Sequence, residues 1–234
     1  MMMEWEIVLL EPVDHWFMKL CGSDPASAAL IEQALDQLAA VGPALGRPLV
    51  DTLEHSRLKN LKELRPGSSG RSEIRMLFVF DPNRHAVVLV SGDKTGRWSK
   101  WYNDAIPLAE QRYADYRADG EKGDPMTGAR SWREVKEEAH RLHPELADPK
   151  VKAAAAEQLA GRIAGHHLKE LRQTVGKTQA ELASALGVSQ ARISQIENGD
   201  LAAMELDTLR AYARALGGRV DISVSVGPHT VKVA

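Results

Sequence analysis

Hydrogen-bonding side chains near the carboxyl end of the chain have the chemistry needed to read DNA bases. Glutamine and arginine can each form two hydrogen bonds to the edge of one base, and serine can form one. A further glutamine, at the start of the preceding predicted helix, can hold a phosphate together with the helix N-terminus. The candidate DNA-binding residues are Gln179, Ser189, Gln190, Arg192, Ser194 and Gln195.

A second set of charged residues lies in the amino-terminal half and has the chemistry to bind phosphates. Residues 56–102 contain ten basic and four acidic residues, whereas residues 1–55 contain two basic and nine acidic residues. A basic segment beside an acidic one permits a surface that faces a polyanion, although the net charge is only −2. A solvated face is the alternative interpretation of the same charges.

The elements that position the first set form a helix-turn-helix pattern. Thr178 and Glu181 have the spacing of a capping box, and Ser189 is placed to cap the second helix. Between them, Gly187 allows the tight turn because it has no Cβ to oppose a positive φ. Apolar residues at helical spacing predict the contact between the two helices: Leu182, Leu186, Ile193 and Ile196.

This pattern closely resembles the lambda-repressor-like (XRE) family over residues 165–217. The resemblance implies that the second helix enters the major groove and that a homodimer binds a palindromic operator. After the last helix, alternating valines on both sides of Gly227 predict a β-hairpin. This hairpin either builds the dimer or caps the domain. An αα-hairpin that binds no DNA is the alternative reading of the whole run.

The amino-terminal half predicts the order strand, two helices, three strands and a helix. With the runs SRLKNLKELRPG, SEIRMLFVFD and VLVSGDKTG, it resembles the HigB branch of the RelE/ParE toxin superfamily over residues 3–117. The resemblance implies a small antiparallel-rich sheet with helices on one side, and an activity that cleaves messenger RNA on the ribosome. The implied catalytic residues are Arg65, Arg75, Lys94 and Tyr102, and the implied RNA-binding residues are Lys62, Arg97 and Lys100.

That reaction needs a proton acceptor for the attacking 2′-hydroxyl, cations for the phosphorane and a proton donor for the leaving oxygen. The acid and the base are not assigned by the sequence. Arg75 also fits a structural ion pair, and Lys62 and Arg65 also fit solvated strand positions. No cofactor is expected, and no metal site, because nothing completes a ligand set around His140 and His143.

The predicted domains are a HigB/RelE-like domain at 1–118, a linker with a short helix at 119–150, and an XRE domain with its hairpin at 151–234. The linker helix begins at Ser131, and we expect it to dock on the toxin half and help to mask it. Met126 stands where a separate antitoxin would start. The α+β chain therefore resembles a HigB toxin joined to a HigA antitoxin, with no membrane span and a cytoplasmic location expected.

Three functions fit this pattern. The first is a fused toxin and antitoxin that represses its own operon and holds a ribonuclease inactive. The second is an XRE transcriptional regulator whose RelE-like domain is catalytically dead and serves in assembly. The third is an active ribonuclease with an RNA-binding tail.

Overall fold

The computed structural model describes residues 4–70, 72–96, 98–121, 128–199, 206–227 and 229–233. The chain divides into two compact units, Met1–Leu159 and Ala160–Ala234. The sequence predicted domain boundaries at residues 118 and 150. Because the first unit extends to Leu159, the described part of the predicted linker (119–150) belongs to it. Within the described ranges, no helix combines the length and the apolar character needed to cross a membrane.

The first unit is an α+β fold built on one sheet. Ten helices and strands are described between residue 6 and residue 142, and the two three-residue strands were not predicted from the sequence because they are too short to show an alternating pattern. These elements are β1 (Glu6–Leu10), α1 (Glu11–Ser23), α2 (Pro25–Val41), β2 (Val50–Thr52), β3 (Leu61–Leu64), β4 (Ile74–Phe80), β5 (His85–Asp93), α3 (Trp98–Glu121), β6 (Ala129–Ser131) and α4 (Trp132–Leu142).

The six strands lie in the order β2-β3-β4-β5-β1-β6. Only the β1–β5 pair is parallel among these strands, which confirms the antiparallel-rich sheet. Helices, however, cover both faces of the sheet rather than one. Leu77 and Val79 of β4 pack against α3, while Met76 and Phe78 point the other way and are equally buried. The run IRMLFVF is apolar on both faces for this reason.

A β-bulge in β5 decides which side chains share the α3 face. Leu77 pairs with Val90, but the next residue, Phe78, pairs with Val88, so Leu89 is the extra residue. A bulge reverses the alternation of the strand beyond it. Gly92 consequently lies opposite Arg75, and the chain after Gly92 continues on the side of the sheet that faces α3.

The second unit is a helical bundle followed by a hairpin. A small core forms from Leu182, Ala183, Ile193, Ile196 and Tyr212. The predicted capping box at Thr178 and Glu181 is present, and Gly187 has the left-handed conformation that the turn requires. The elements are α5 (Pro149–Thr174), which begins in the first unit, then α6 (Gln179–Leu186), α7 (Gln190–Glu197), α8 (Leu206–Ala215), β7 (Ser223–Val226) and β8 (His229–Lys232).

Candidate functional site

Glu63, which is fully buried on β3, lies at the centre of a charge cluster in the first unit. Its Oε2 accepts a hydrogen bond from Arg65 Nε at 2.5 Å, and its Oε1 accepts one from the Tyr102 hydroxyl at 2.5 Å. Arg75 Nε lies 3.6 Å from the same carboxylate, and Lys94 Nζ donates to the Tyr102 hydroxyl at 3.3 Å. The four residues predicted as catalytic therefore surround one carboxylate; we call these five residues the Glu63 cluster.

Strand alternation and the bulge bring this cluster together. Glu63 and Arg65 are two residues apart and share a face, and Glu63 pairs with Leu77 of β4, two residues from Arg75. Lys94 follows β5, and its backbone N–H donates to the Glu73 carbonyl at 3.1 Å. The bulge turns this end of β5 so that the Lys94 side chain meets Tyr102 of α3.

Burial and neighbouring charges shift two pKa values in the cluster. Burial, reinforced by the hydrogen bond to Glu63, raises the pKa of Tyr102 well above its usual range. Burial, together with the nearby Arg75 guanidinium, lowers the pKa of Lys94. Tyr102 therefore keeps its proton at neutral pH, and its hydroxyl donates that proton in the hydrogen bond to Glu63 Oε1.

The cations of the cluster also face two further carboxylates. Arg65 is 2.9 Å from Asp51, while Arg75 and Lys94 are 3.8 and 3.6 Å from Glu73. These last two distances exceed a hydrogen bond. Among the described residues, the buried Arg75 Nε and Glu73 Oε2 have no hydrogen-bond partner. The cluster is thus charge-balanced but incompletely hydrogen-bonded.

The residues predicted to bind RNA do not join the cluster. Lys62 alternates with Glu63 on β3, so it points to the opposite face, and its Nζ donates to Thr52 Oγ1 at 3.1 Å. Lys100 is exposed in the first turn of α3. Arg97 lies outside the described residues. Glu63, at the centre of the cluster, was not predicted as a site residue. The sequence did contain a sign of it: an acidic residue lies on the same face of the predicted strand as Leu61, where an apolar residue would be expected.

The candidate DNA-reading surface is formed by α7 in the second unit. Gln190 and Gln195 are exposed, and Arg192 and Ser194 are partly exposed. Ser189 caps the helix by accepting from the Arg192 N–H at 3.2 Å, and Ser194 Oγ accepts from Asn198 Nδ2 at 3.3 Å. Short polar side chains on an exposed helix of this size fit the major groove.

Glu197, at the end of α7, anchors this helix to the rest of the unit. Its carboxylate receives two hydrogen bonds from Arg172, at 2.5 and 2.8 Å, and one from the Tyr212 hydroxyl at 3.0 Å. Gln179 Nε2 adds a fourth at 2.9 Å. That Gln179 holds a phosphate stays a prediction, since its amide nitrogen donates to Glu197 in the protein without DNA. We call Arg172, Gln179, Glu197 and Tyr212 the Glu197 network.

Close glycine contacts set the same helix against α5. A Cβ added to Gly165 would lie 2.6 Å from the Ile196 carbonyl oxygen, and one added to Gly161 would lie 2.7 Å from that of Gly199. Gly199 itself has φ +103° and sits against the backbone of Arg162. The end of α7 is therefore held by backbone packing as well as by Glu197, which fixes the orientation of its exposed face.

Comparisons with known proteins match the two halves separately. The family model for the phage-derived protein Gp49-like (DUF891) matches residues 18–114, and the helix-turn-helix model matches residues 168–222. Three proteins of Mycobacterium tuberculosis are similar. The one named toxin HigB2 is 47% identical over 50% of this chain and 56% of its own length, and toxin HigB3 is 44% identical over 48% and 93%. Antitoxin HigA3 is 40% identical over 46% of this chain and 98% of its own length.

The chain belongs to the HigB and HigA toxin–antitoxin families. It joins a HigB-type domain to a HigA-type helix-turn-helix domain, as the sequence predicted. The match to HigB2, by contrast, spans only about half of that relative. We use HigB half for residues 4–121 and HigA half for the second unit.

The helix α4, predicted to dock on the HigB half, packs on the face of the sheet opposite the Glu63 cluster. Val8 of β1 faces α3, whereas Trp132 of α4 meets Phe17 of α1 edge-on at 5.1 Å. Trp132, Val135 and Ala139 of this helix are buried, whereas Leu142 is 51% exposed. Docking is confirmed. The helix does not cover the Glu63 cluster, so any masking by it has to act from the opposite face.

The two histidines considered as metal ligands have other contacts. His140 Nε2 is 2.9 Å from Glu32 Oε2, and His143 Nδ1 is 3.6 Å from Glu145. Within the described part of the chain, no group of three or more potential ligands could hold a metal ion.

Proposed function

We propose that this chain is a self-contained toxin–antitoxin protein that binds operator DNA through α7 and represses its own operon, with the HigB half held inactive. The observation that carries the proposal is the geometry of α7. Gln190 and Gln195 are exposed, and Arg192 and Ser194 are partly exposed, while Glu197 and the glycine contacts immobilise the far end of the helix. A recognition helix must be presented rigidly, because base readout depends on hydrogen-bond geometry.

The double substitution Gln190→Ala and Gln195→Ala tests the DNA-binding part. Each lost bidentate contact weakens discrimination of one base by about 1–3 kcal/mol, so sequence preference should collapse. Weak, salt-sensitive binding should remain because phosphate contacts persist. Electrophoretic mobility shifts with the promoter of this gene and with random DNA measure the sequence preference and the remaining non-specific binding.

The control is the double variant Glu170→Ala with Gln173→Ala, at exposed positions of α5. Unchanged operator affinity in the α7 double variant would refute the assignment of α7 as the recognition helix.

We propose that the HigA half dimerises through its hairpin. Val224, Val226, Val231 and Val233 are each at least 50% exposed, and pairing of Val224 with Val231 places them on one face. An apolar ribbon left open to water favours association with a second copy of itself. Such a dimer would offer two recognition helices to a palindromic site.

Light scattering on purified protein tests this dimer. Val224→Lys with Val231→Lys should convert dimers to monomers, since it places two charges on the apolar face. Ser225→Lys with Thr230→Lys changes a cross-strand pair on the other face and should leave the dimer intact. A dimer that survives the valine changes would exclude the hairpin as its interface.

For the HigB half we propose RNA cleavage at the Glu63 cluster once the HigA half is absent. Arg75 and Lys94 would stabilise the phosphorane, a water molecule would accept the proton of the attacking 2′-hydroxyl, and Tyr102 would protonate the leaving oxygen. One observation favours the alternative of a silent domain used for assembly, since Arg65 and Arg75 both contact Glu63, which competes with a phosphate. Expression of residues 1–121 in growing cells separates the two: growth arrest with RNA cleavage supports a toxin, and normal growth with soluble fragment supports the silent domain.

A further inference from the structure

Residues 128–147 form a docking segment within the first unit. Its strand β6 pairs antiparallel with β1, with Leu9 opposite Arg130, and so extends the sheet at its β1 edge. Its helix α4 packs on α1 and β1. The polar contacts between this segment and the HigB half have a consistent pattern of charge.

Each of the side-chain contacts joins a carboxylate of the HigB half to a donor on the docking segment, whereas in the backbone the Glu11 N–H donates to the Gly128 carbonyl at 2.5 Å. Buried Asp14 accepts from Arg130 at 3.3 Å, and Asp36 accepts from Lys136 at 2.5 Å. The contacts at the ends of the segment follow the same rule: Ser131 Oγ donates to Glu6 at 2.6 Å, Trp132 Nε1 donates to Asp36 at 2.9 Å, and His140 Nε2 lies 2.9 Å from buried Glu32.

This pattern makes the surface selective. Asp14 and Glu32 are 1% and 2% exposed. If the docking segment left, Asp14 would lose Arg130 but keep the His15 N–H at 2.5 Å, and Glu32 would lose Lys136 and His140 but keep Lys152 at 3.8 Å. A carboxylate that loses its closest cationic partner is destabilised, and an open β1 edge invites another strand. A segment with acidic residues at positions 130 and 136 would place like charges together, which excludes it. Within the segment, Glu138 holds Arg130 at 2.6 Å and so orients it toward Asp14.

We propose that this acidic surface is the site by which the HigB half recognises its antitoxin. Its occupant is a strand–helix segment that carries bases at the positions of Arg130 and Lys136. The recognition does not need the covalent connection, so the segment of a separate antitoxin chain with the same bases would be accepted. The proposal rests on the proposed toxin–antitoxin function, because it assigns the partner of the HigB half.

The test starts from the full chain with a site-specific protease sequence placed within residues 122–127. The protein folds intact, is cut, and is then examined by size exclusion and by pull-down through a tag on the amino-terminal fragment. The two fragments should stay associated, and high salt should weaken the association because charge pairs contribute to it. Fragments that separate at once in low salt would overturn the proposal.

Charge variants identify the determinant. Arg130→Glu with Lys136→Glu should weaken the association of the cut fragments at least tenfold. Arg133→Glu with Arg141→Glu makes the same charge change at exposed positions of the same helix and should behave like the unmodified protein. Equal association of both double variants would overturn the proposal.

A milder change guards against unfolding of the first unit. Lys136→Met keeps the alkyl stem and removes only the charge, so circular dichroism should be unchanged while association falls about fivefold. No loss with this variant would also contradict the proposal. The experiment measures the association of the two fragments, so it tests recognition of the antitoxin separately from the toxin activity. If the fragments associate but the HigB half does not arrest growth, only the toxin activity is refuted.

Discussion

The two halves of the chain each place a buried glutamate among an arginine and a tyrosine, but they satisfy it differently. Glu197 in the HigA half receives four hydrogen bonds of 2.5 to 3.0 Å, two of them from one guanidinium. Glu63 in the HigB half receives short bonds from Arg65 and Tyr102, while Arg75 stays 3.6 Å away. In both halves, burial and the adjacent glutamate raise the tyrosine pKa.

This difference indicates that the Glu197 network has a structural role, whereas the Glu63 cluster is a candidate binding site. In the Glu197 network, the donors of Arg172, Gln179 and Tyr212 all bind one carboxylate. The network therefore fixes the geometry of α7, and few of its donors remain for a ligand. In the Glu63 cluster, Arg75 Nε is buried with no hydrogen-bond partner in the described part of the chain. The cluster thus keeps a donor whose hydrogen bonding is incomplete, and an anion could satisfy it only by competing with Glu63, which lies 3.6 Å away.

Removal of Glu197 is expected to have the largest effect on stability. Glu197→Ala leaves the buried Arg172 without its partner, which should cost the HigA half about 3–5 kcal/mol. Urea denaturation followed by circular dichroism measures this loss. Gln173→Ala, at an exposed position of α5 within the HigA half, is the control and should change stability by less than about 0.5 kcal/mol. A loss below about 1 kcal/mol would mean that the glycine contacts alone hold α7.

The substitution Glu63→Gln tests whether the incomplete cluster binds anions. It keeps the shape of the side chain and removes the charge that competes with a phosphate for Arg65 and Arg75. The affinity of the full chain for a short RNA should rise about tenfold, equivalent to about 1.4 kcal/mol. Fluorescence anisotropy with a labelled oligonucleotide measures it.

Two controls accompany that measurement. Lys62→Ala changes a base on the opposite face of the sheet and should leave the affinity unchanged. Arg75→Ala combined with Glu63→Gln should abolish the gain, because it removes the donor that has no partner. If Glu63→Gln binds RNA no better than the unmodified chain, the cluster is a structural ion network like that of Glu197.

The sequence predicted most of the fold because the longer elements carry strong periodicity, and Ser131 and Thr178 marked helix starts that the structure reproduces. It grouped Arg65, Arg75, Lys94 and Tyr102 only through a family resemblance. Spacing alone could not have done so, because the bulge at Leu89 reverses the alternation of β5 and leaves no trace in residue types.

Contacts between distant parts of the chain were also hidden from the sequence. The docking of α4 was predicted, but the side of the sheet that it occupies depends on β6, a three-residue strand without a pattern. Glycines 161 and 165 look like weak points in an alanine-rich helix. Their role is visible only when the backbone of residues 196–199 is seen against them.

The smallest effect in this comparison concerns Gln179, which decides whether the Glu197 network includes a DNA contact. Gln179→Ala removes one of four hydrogen bonds and should cost about 1 kcal/mol, well below the loss from Glu197→Ala because Arg172 and Tyr212 remain. If the side chain serves only the network, operator affinity measured at fixed temperature should fall less than about threefold.

Gln190→Ala is the matched control: it should leave stability unchanged and weaken operator binding, since Gln190 is exposed. Should Gln179→Ala keep full stability and lose operator affinity, the amide would have to leave Glu197 for a phosphate in the complex. The Glu197 network would then resemble the Glu63 cluster, with one donor reserved for an anion.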